Sequence, residues 1–132
     1  MANEAICIET PTIFRRRTIA ASAVLPKGTI LKLTDPNTVE ASAATNDPFG
    51  GIVWESSTAT DTFTEITVAM NGVWDIKATA AAIGIGVPCA IGGANLIRAA
   101  IEADTALGDI IGRAEETFGN DEVGRVSIGG FF

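Results

Sequence analysis

The sequence predicts a mainly β protein, a small barrel or sandwich of about eight short strands with one short helix. Three observations lead there. Val, Ile and Thr dominate segments bounded by Gly, Pro, Asn and Asp, the composition of strands joined by tight turns. Apolar and polar residues alternate within those segments, as in GTILKLT at residues 28–34, which is the period-two pattern of a half-buried strand. The strands are short and many, and closing them on themselves removes the exposed edges that invite aggregation.

Taken in order, residues 1–23 read as an extended N-terminal arm ahead of a domain over residues 24–132. The arm carries Ile6, Ile8, Ile13 and Phe14 around Pro11. The GTILKLT strand is followed by DPNT, expected as a type I turn because Pro36 presets the second position, and then by the strand VEA. GGIVWES (50–56) and EITVAMNGVWDI (65–76) continue the strand pattern, with residues 56–64 as an exposed loop rich in Thr, Ser and Asp. GDIIGRAEE (108–116), a polar loop TFGND and a last strand EVGRVSIGG complete the chain before GGFF.

Between Lys77 and Arg98 the chain runs ATAAAIGIGVPCAIGGANLI without a charge. That is long enough for a membrane helix, which needs about 20 apolar residues. The composition argues against it: Gly84, Gly86, Pro88, Gly92 and Gly93 interrupt any helix, since Pro removes a donor and each interior Gly costs about 1 kcal/mol relative to Ala. The stretch instead divides into a short Ala-rich helix at residues 77–83, a strand at 87–91, a turn through Gly92, Gly93, Ala94 and Asn95, and a strand at 96–100.

At 132 residues the chain suits one domain with one core. The first residues, MANEAICIE, lack the basic and apolar regions of a signal peptide, so folding in a cytoplasm is expected. Cys7 and Cys89 are far apart among apolar neighbours and are expected as buried thiols. With no His and no paired Cys spacing, no metal site is expected. Nine basic against sixteen acidic residues give a net charge of −7, which opposes nucleic acid and anionic membranes as partners. Arg15, Arg16 and Arg17 hold a third of the basic charge. They read equally as a solvated patch paired with the chain's own acids or as a surface for an acidic partner.

No catalytic constellation is visible, and the sequence is read as that of a protein without enzyme activity. His and Tyr are missing, which removes the commonest general base. Ser22, Ser42, Ser56, Ser57 and Ser127 lie in no GxSxG elbow. Glu115–Glu116 and Asp121–Glu122 are the densest acidic pairs, but neighbours on a strand point to opposite faces. GIGVPC lacks the third glycine and the βαβ setting of a dinucleotide site, and no phosphate-binding P-loop occurs. No cofactor is expected. Trp54 and Trp74 are expected in a core or an interface, because only Phe14 stands beside basic residues as a stacking platform would require.

The segments VLPKGTILKLT, GGIVWES, VAMNGVWDIKATAAAIGIGVPCAI, LGDIIGRAEE and DEVGRVSIGG resemble, over residues 24–130, the small capsid decoration (cement) proteins of tailed bacteriophages. Members have at times been labelled phage recombinases, a label that the missing P-loop argues against. The resemblance implies a small β-barrel or β-tulip-like domain on the outside of a phage head, with the major capsid protein as partner and trimers at three-fold lattice positions. Ile6, Ile8, Ile13, Phe14, Arg15, Arg16 and Arg17 are then the expected capsid-binding residues. Trp54, Trp74, Phe131 and Phe132 are the expected subunit interface. A tail or baseplate component, or a small ligand-binding barrel serving as an accessory domain, are the other readings of the same sequence.

Overall fold

The structure is a computed structural model and describes residues 3–101, 104 and 109–129. Eleven strands follow one another: β1 (Ile6–Glu9), β2 (Phe14–Thr18), β3 (Ile30–Asp35), β4 (Thr38–Ala41), β5 (Phe49–Val53), β6 (Glu65–Ala69), β7 (Gly72–Ala78), β8 (Pro88–Gly93), β9 (Leu96–Ala99), β10 (Ile110–Ala114) and β11 (Val123–Ile128). The first barrel closes in the order β2-β4-β3-β5-β6. In the second sheet the order is β1-β7-β11-β10-β8-β9, and a further pairing of β7 with β9 closes β7, β9, β8, β10 and β11 on themselves. β1 stands outside that ring.

The two rings are the same unit twice. Each begins with a strand that pairs in parallel with the second strand after it, β2 with β4 and β7 with β9. Each then returns to that first strand antiparallel through its last, β6 and β11. Backbone details repeat with the topology. Positive φ recurs at Ser22 and Ala80, Gly28 and Gly86, and Asn37 and Asn95, each pair 58 positions apart. The isolated bridges Leu25–Ser57 and Ile83–Phe118 correspond. So do the bonds from Gly28 N to Val53 O (2.9 Å) and from Gly86 N to Ala114 O (2.8 Å).

Side-chain alternation along the strands sorts apolar residues into two clusters. Ile30 and Leu31 are adjacent on β3 and both fully buried, so they must point to opposite faces. Leu31 joins Ile19, Leu25, Val39, Val53, Ile66 and Val68 inside the first barrel. Ile30 packs outward with Ile52 and Ala69 against Trp74, Ile91, Ile97 and Ile128 of the second unit. The single core expected from length is thus two clusters, one of them shared between the units. A buried polar staple adds to it: Asn95 Oδ1 accepts Ile30 N–H at 2.8 Å, and Ser42 Oγ donates to Gly93 O at 3.3 Å.

Several expectations are corrected. Residues 77–83 form no helix. The alternation of Trp74, Ile76 and Ala78, all buried, carries β7 through Ala78, and positive φ at Ala80 turns the chain where a helix would continue. EITVAMNGVWDI is two strands in two barrels, split at Met70 and Asn71. Asn37 at φ 56° fits the second central position of a type II turn, not type I. Gly92 and Gly93 lie in β8, and the turn is Ala94 and Asn95. The N-terminal stretch is no free arm: β1 and β2 are members of the two sheets. No helix among the described residues is long and apolar enough to cross a membrane.

Candidate interaction surface

The N-terminal strands are fixed by three features of the sequence. Ala5 N donates to Gly28 O at 2.8 Å. Gly28 has φ 92°, and a Cβ there would collide with the Ala5 carbonyl oxygen, so only glycine lets the chain pass this close. β1 then pairs antiparallel with β7, Ile6 opposite Asp75 and Glu9 opposite Val73, with a bulge between Cys7 and Glu9. Asn71, at the passage from one barrel to the other, holds the β1–β2 link. Its Oδ1 accepts Thr12 N (2.9 Å) and Ile13 N (3.0 Å), and its Nδ2 donates to Thr12 Oγ1 (2.8 Å).

This anchoring leaves apolar side chains in water. Ile6 is 63 % exposed, Ile13 53 %, Phe14 41 % and Ile8 38 %. Of the nine large apolar side chains exposed among the described residues, these four lie within nine positions, so they form a concentration and not the usual scatter. Behind them runs an aromatic row. The Phe14 ring lies 5.5 Å from that of Trp54, Trp54 lies 6.2 Å edge-on from Trp74, and Lys27 Nζ sits 3.7 Å from the Trp54 ring centre. Exposed Phe14 is thereby backed by a rigid stack and a cation–π contact.

The three arginines have three different fates. Arg16 Nη1 donates to Glu55 Oε1 (2.9 Å) and Thr67 Oγ1 (3.0 Å), with Glu65 4.0 Å from Nη2, which makes it a surface residue paired with the chain's own acids. Arg17 points into the first barrel, donating to Asn37 Oδ1 at 3.3 Å while its Nε finds no partner among the described residues. Burial, with Arg15 beside it, lowers its pKa. Arg15 is exposed, and no hydrogen bond or ion pair engages its side chain among the described residues. The outward basic charge of the patch is therefore mainly that of Arg15.

The remaining expected site residues separate further. Trp74 is fully buried in the shared core, with Nε1 donating to Asn71 O at 3.1 Å; it cannot line a subunit interface in this fold. Trp54 is half-buried beneath Phe14 and Lys27. Phe131 and Phe132 lie outside the described residues. Cys7 and Cys89 are free thiols, the first half-buried and the second buried, and burial pushes the Cys89 thiol up to about 12. Among the described residues no group of three potential ligands could hold a metal ion. A cleft lined by Ala20, Ala23, Val24, Leu25, Thr34 and Val39 has Glu40 as its sole charged lining residue.

Sequence reasoning missed one polar centre. Arg98 donates to both carboxylate oxygens of Asp104 at 2.8 Å each, to Thr45 Oγ1 at 2.9 Å, and to Asn46. The Arg98 hydrogen bonds to its carboxylate, with one from Ile101 N, hold the Asp104 carboxyl at about 2. The centre fastens the loop before β5 onto β9. Arg98 and Asp104 are six residues apart, but Thr45 and Asn46 lie more than fifty positions before Arg98, which hides the centre from a local reading.

No protein family's profile matches the chain. No curated protein matches its sequence. Among solved structures it is similar to the N base of the head fiber protein gp8.5 of bacteriophage phi29, at 16 % identity with a TM-score of 0.48. The match covers 89 % of this chain and 93 % of that one.

Proposed function

We propose that this chain is a structural virion protein without enzyme activity, which binds the outer surface of a phage head through its N-terminal strands. The major capsid protein is its partner, and it sits as trimers at three-fold positions of the lattice, with no cofactor, nucleic acid or membrane as ligand. The observation that carries the reading is the concentration of Ile6, Ile8, Ile13 and Phe14 at the surface beside unpaired Arg15. Apolar residues of this kind on a backed, rigid surface are what association with a protein lattice uses, since their removal from water is favourable by about 25 cal/mol per Å2. The sequence resemblance to capsid decoration proteins supplies the lattice.

The test compares wild type with Ile6→Ser/Ile13→Ser/Phe14→Ser in sedimentation with undecorated heads of the encoding phage. The expected result is bound wild type and an unbound but folded variant. Equal binding of both would remove this surface from the contact.

A further inference from the structure

The repeated unit presents the same strand edge twice, and the chain covers it once. In an antiparallel ladder the residues bonded to one neighbour alternate with those that turn to the opposite edge. Ala78 N donates to Glu122 O at 3.0 Å, so Ala78, Ile76 and Trp74 face β11, while Lys77, Asp75 and Val73 turn away. Lys77 meets β9 and the other two meet β1. In the first barrel, Ile19 N donates to Thr64 O at 2.8 Å and Met70 N to Ile13 O at 2.9 Å. Ile13, Arg15, Arg17 and Ile19 therefore face β6. Thr18 turns to β4, its N–H donating to Asn37 O at 2.8 Å. Phe14 and Arg16 turn to the same side, where no backbone among the described residues pairs with them.

We propose that this edge of β2, at residues 14–16, is a strand-addition site for an extended segment of a different chain, with alternating apolar residues and a carboxylate at its end. The occupant's chemistry follows from the edge that is filled. There the added strand is β1, in which Ile6 and Ile8 alternate between Glu4 and Glu9. On β7 it lies beside Asp75, whereas the corresponding position of β2 is Arg16, next to Arg15. Arg16 is paired with Glu55 and Glu65, so the vacant slot has the same backbone geometry with Arg15 as its outward cation, which favours an acidic end on the incoming strand. Phe14 gives the apolar side chains a backed surface. The inference goes beyond the virion reading and holds whether or not the partner belongs to a capsid.

Amide hydrogen exchange on the 15N-labelled full chain tests it, with a synthetic peptide of residues 3–10 carrying Cys7→Ser as the probe. In the protein alone, the Phe14 and Arg16 amides are expected to exchange about a hundredfold faster than those of Val73 and Asp75, because only the latter pair is bonded. Added peptide is expected to slow Phe14 and Arg16 by at least about tenfold, and the same peptide N-methylated at alternate residues to leave them unchanged. Three results would overturn the proposal: protection of Phe14 and Arg16 in the protein alone at low concentration, no slowing by the peptide, or slowing confined to Val73 and Asp75. Protection that grows with protein concentration alone would give the edge to a second copy, and would equally overturn a partner of different sequence.

Discussion

Replacing Asn95 probes the joint between the two barrels most sharply, because this residue does two separable jobs. Its backbone sits at φ 57°, a region that costs an ordinary L residue about 1 kcal/mol or more. Its side-chain oxygen is the acceptor for Ile30 N–H at 2.8 Å, and both residues are buried. An orphaned buried donor costs about 1–3 kcal/mol. Asn95→Ala loses both and is expected to cost about 2–4 kcal/mol. Asn95→Gly keeps the backbone conformation and loses the side chain with its bond to Ile30. Asn37→Gly at the corresponding exposed turn of the first barrel carries the same unfolded-state entropy cost of glycine, about 0.5 kcal/mol, and loses only the longer 3.3 Å contact from Arg17 Nη1 in place of a buried bond. A loss near 3 kcal/mol against an unfolding entropy of about 2.1 cal/mol/K per residue lowers Tm by about 11 °C for 132 residues. Urea unfolding of the three variants reads the terms apart. If Asn95→Gly costs no more than Asn37→Gly, Asn95 does not staple the barrels and the reasoning fails.

Gly28→Ala is expected to lift β1 from its anchor, with a red shift in tryptophan fluorescence and a loss of about 2 kcal/mol or more; an unchanged spectrum and midpoint would contradict the close passage at Ala5. Arg17 takes the inward position that Ile76 takes in the second barrel, with its Nε unpartnered, so Arg17→Met is expected to be neutral or to stabilise by about 1–2 kcal/mol in urea unfolding. A loss of similar size would show that the guanidinium is needed where it lies. Asp104 is held at about 2 by Arg98, below the ordinary 3.8. Its ionised form therefore stabilises the fold above pH 4, and that gain is lost as pH falls towards 2. The Tm gap between wild type and Asp104→Asn is expected to narrow from pH 5 to pH 2.5, and a constant gap would contradict the assignment.

Most strands were legible because their ends are written in residues with a strong backbone preference. Pro36–Asn37 and Ala94–Asn95 mark the hairpins of β3–β4 and β8–β9, and alternation around Leu31 and Leu33 marks β3 ahead of the first turn. What composition hid was continuity and recurrence. The alanines after Lys77 favour a helix locally, yet the preceding Val73–Trp74–Asp75–Ile76 alternation already commits the chain to β7, and tertiary burial of Trp74 and Ala78 prevails over propensity. EITVAMNGVWDI shows no break at Asn71, because the switch between barrels is made by hydrogen bonds to Thr12 and Ile13 that lie far off in sequence.

The duplication escaped notice for a related reason. Its signal is a few residues, Gly28 with Gly86 and Asn37 with Asn95, at a spacing of 58, and the second unit lengthens afterwards so that Val53 corresponds to Ala114. At the candidate surface, the exposed apolar residues were legible and the individual roles of the arginines were not. Alternation places Arg17 on the inner face of β2 only once its pairing with β6 is known.

We propose that the pair of barrels presents its N-terminal apolar surface to a phage head. The most direct measurement is the number of copies of the full chain that sediment with undecorated heads of the encoding phage as its concentration is raised. Saturation at a number matching the three-fold positions of the lattice is expected. A folded protein that leaves the heads bare at every concentration would contradict it.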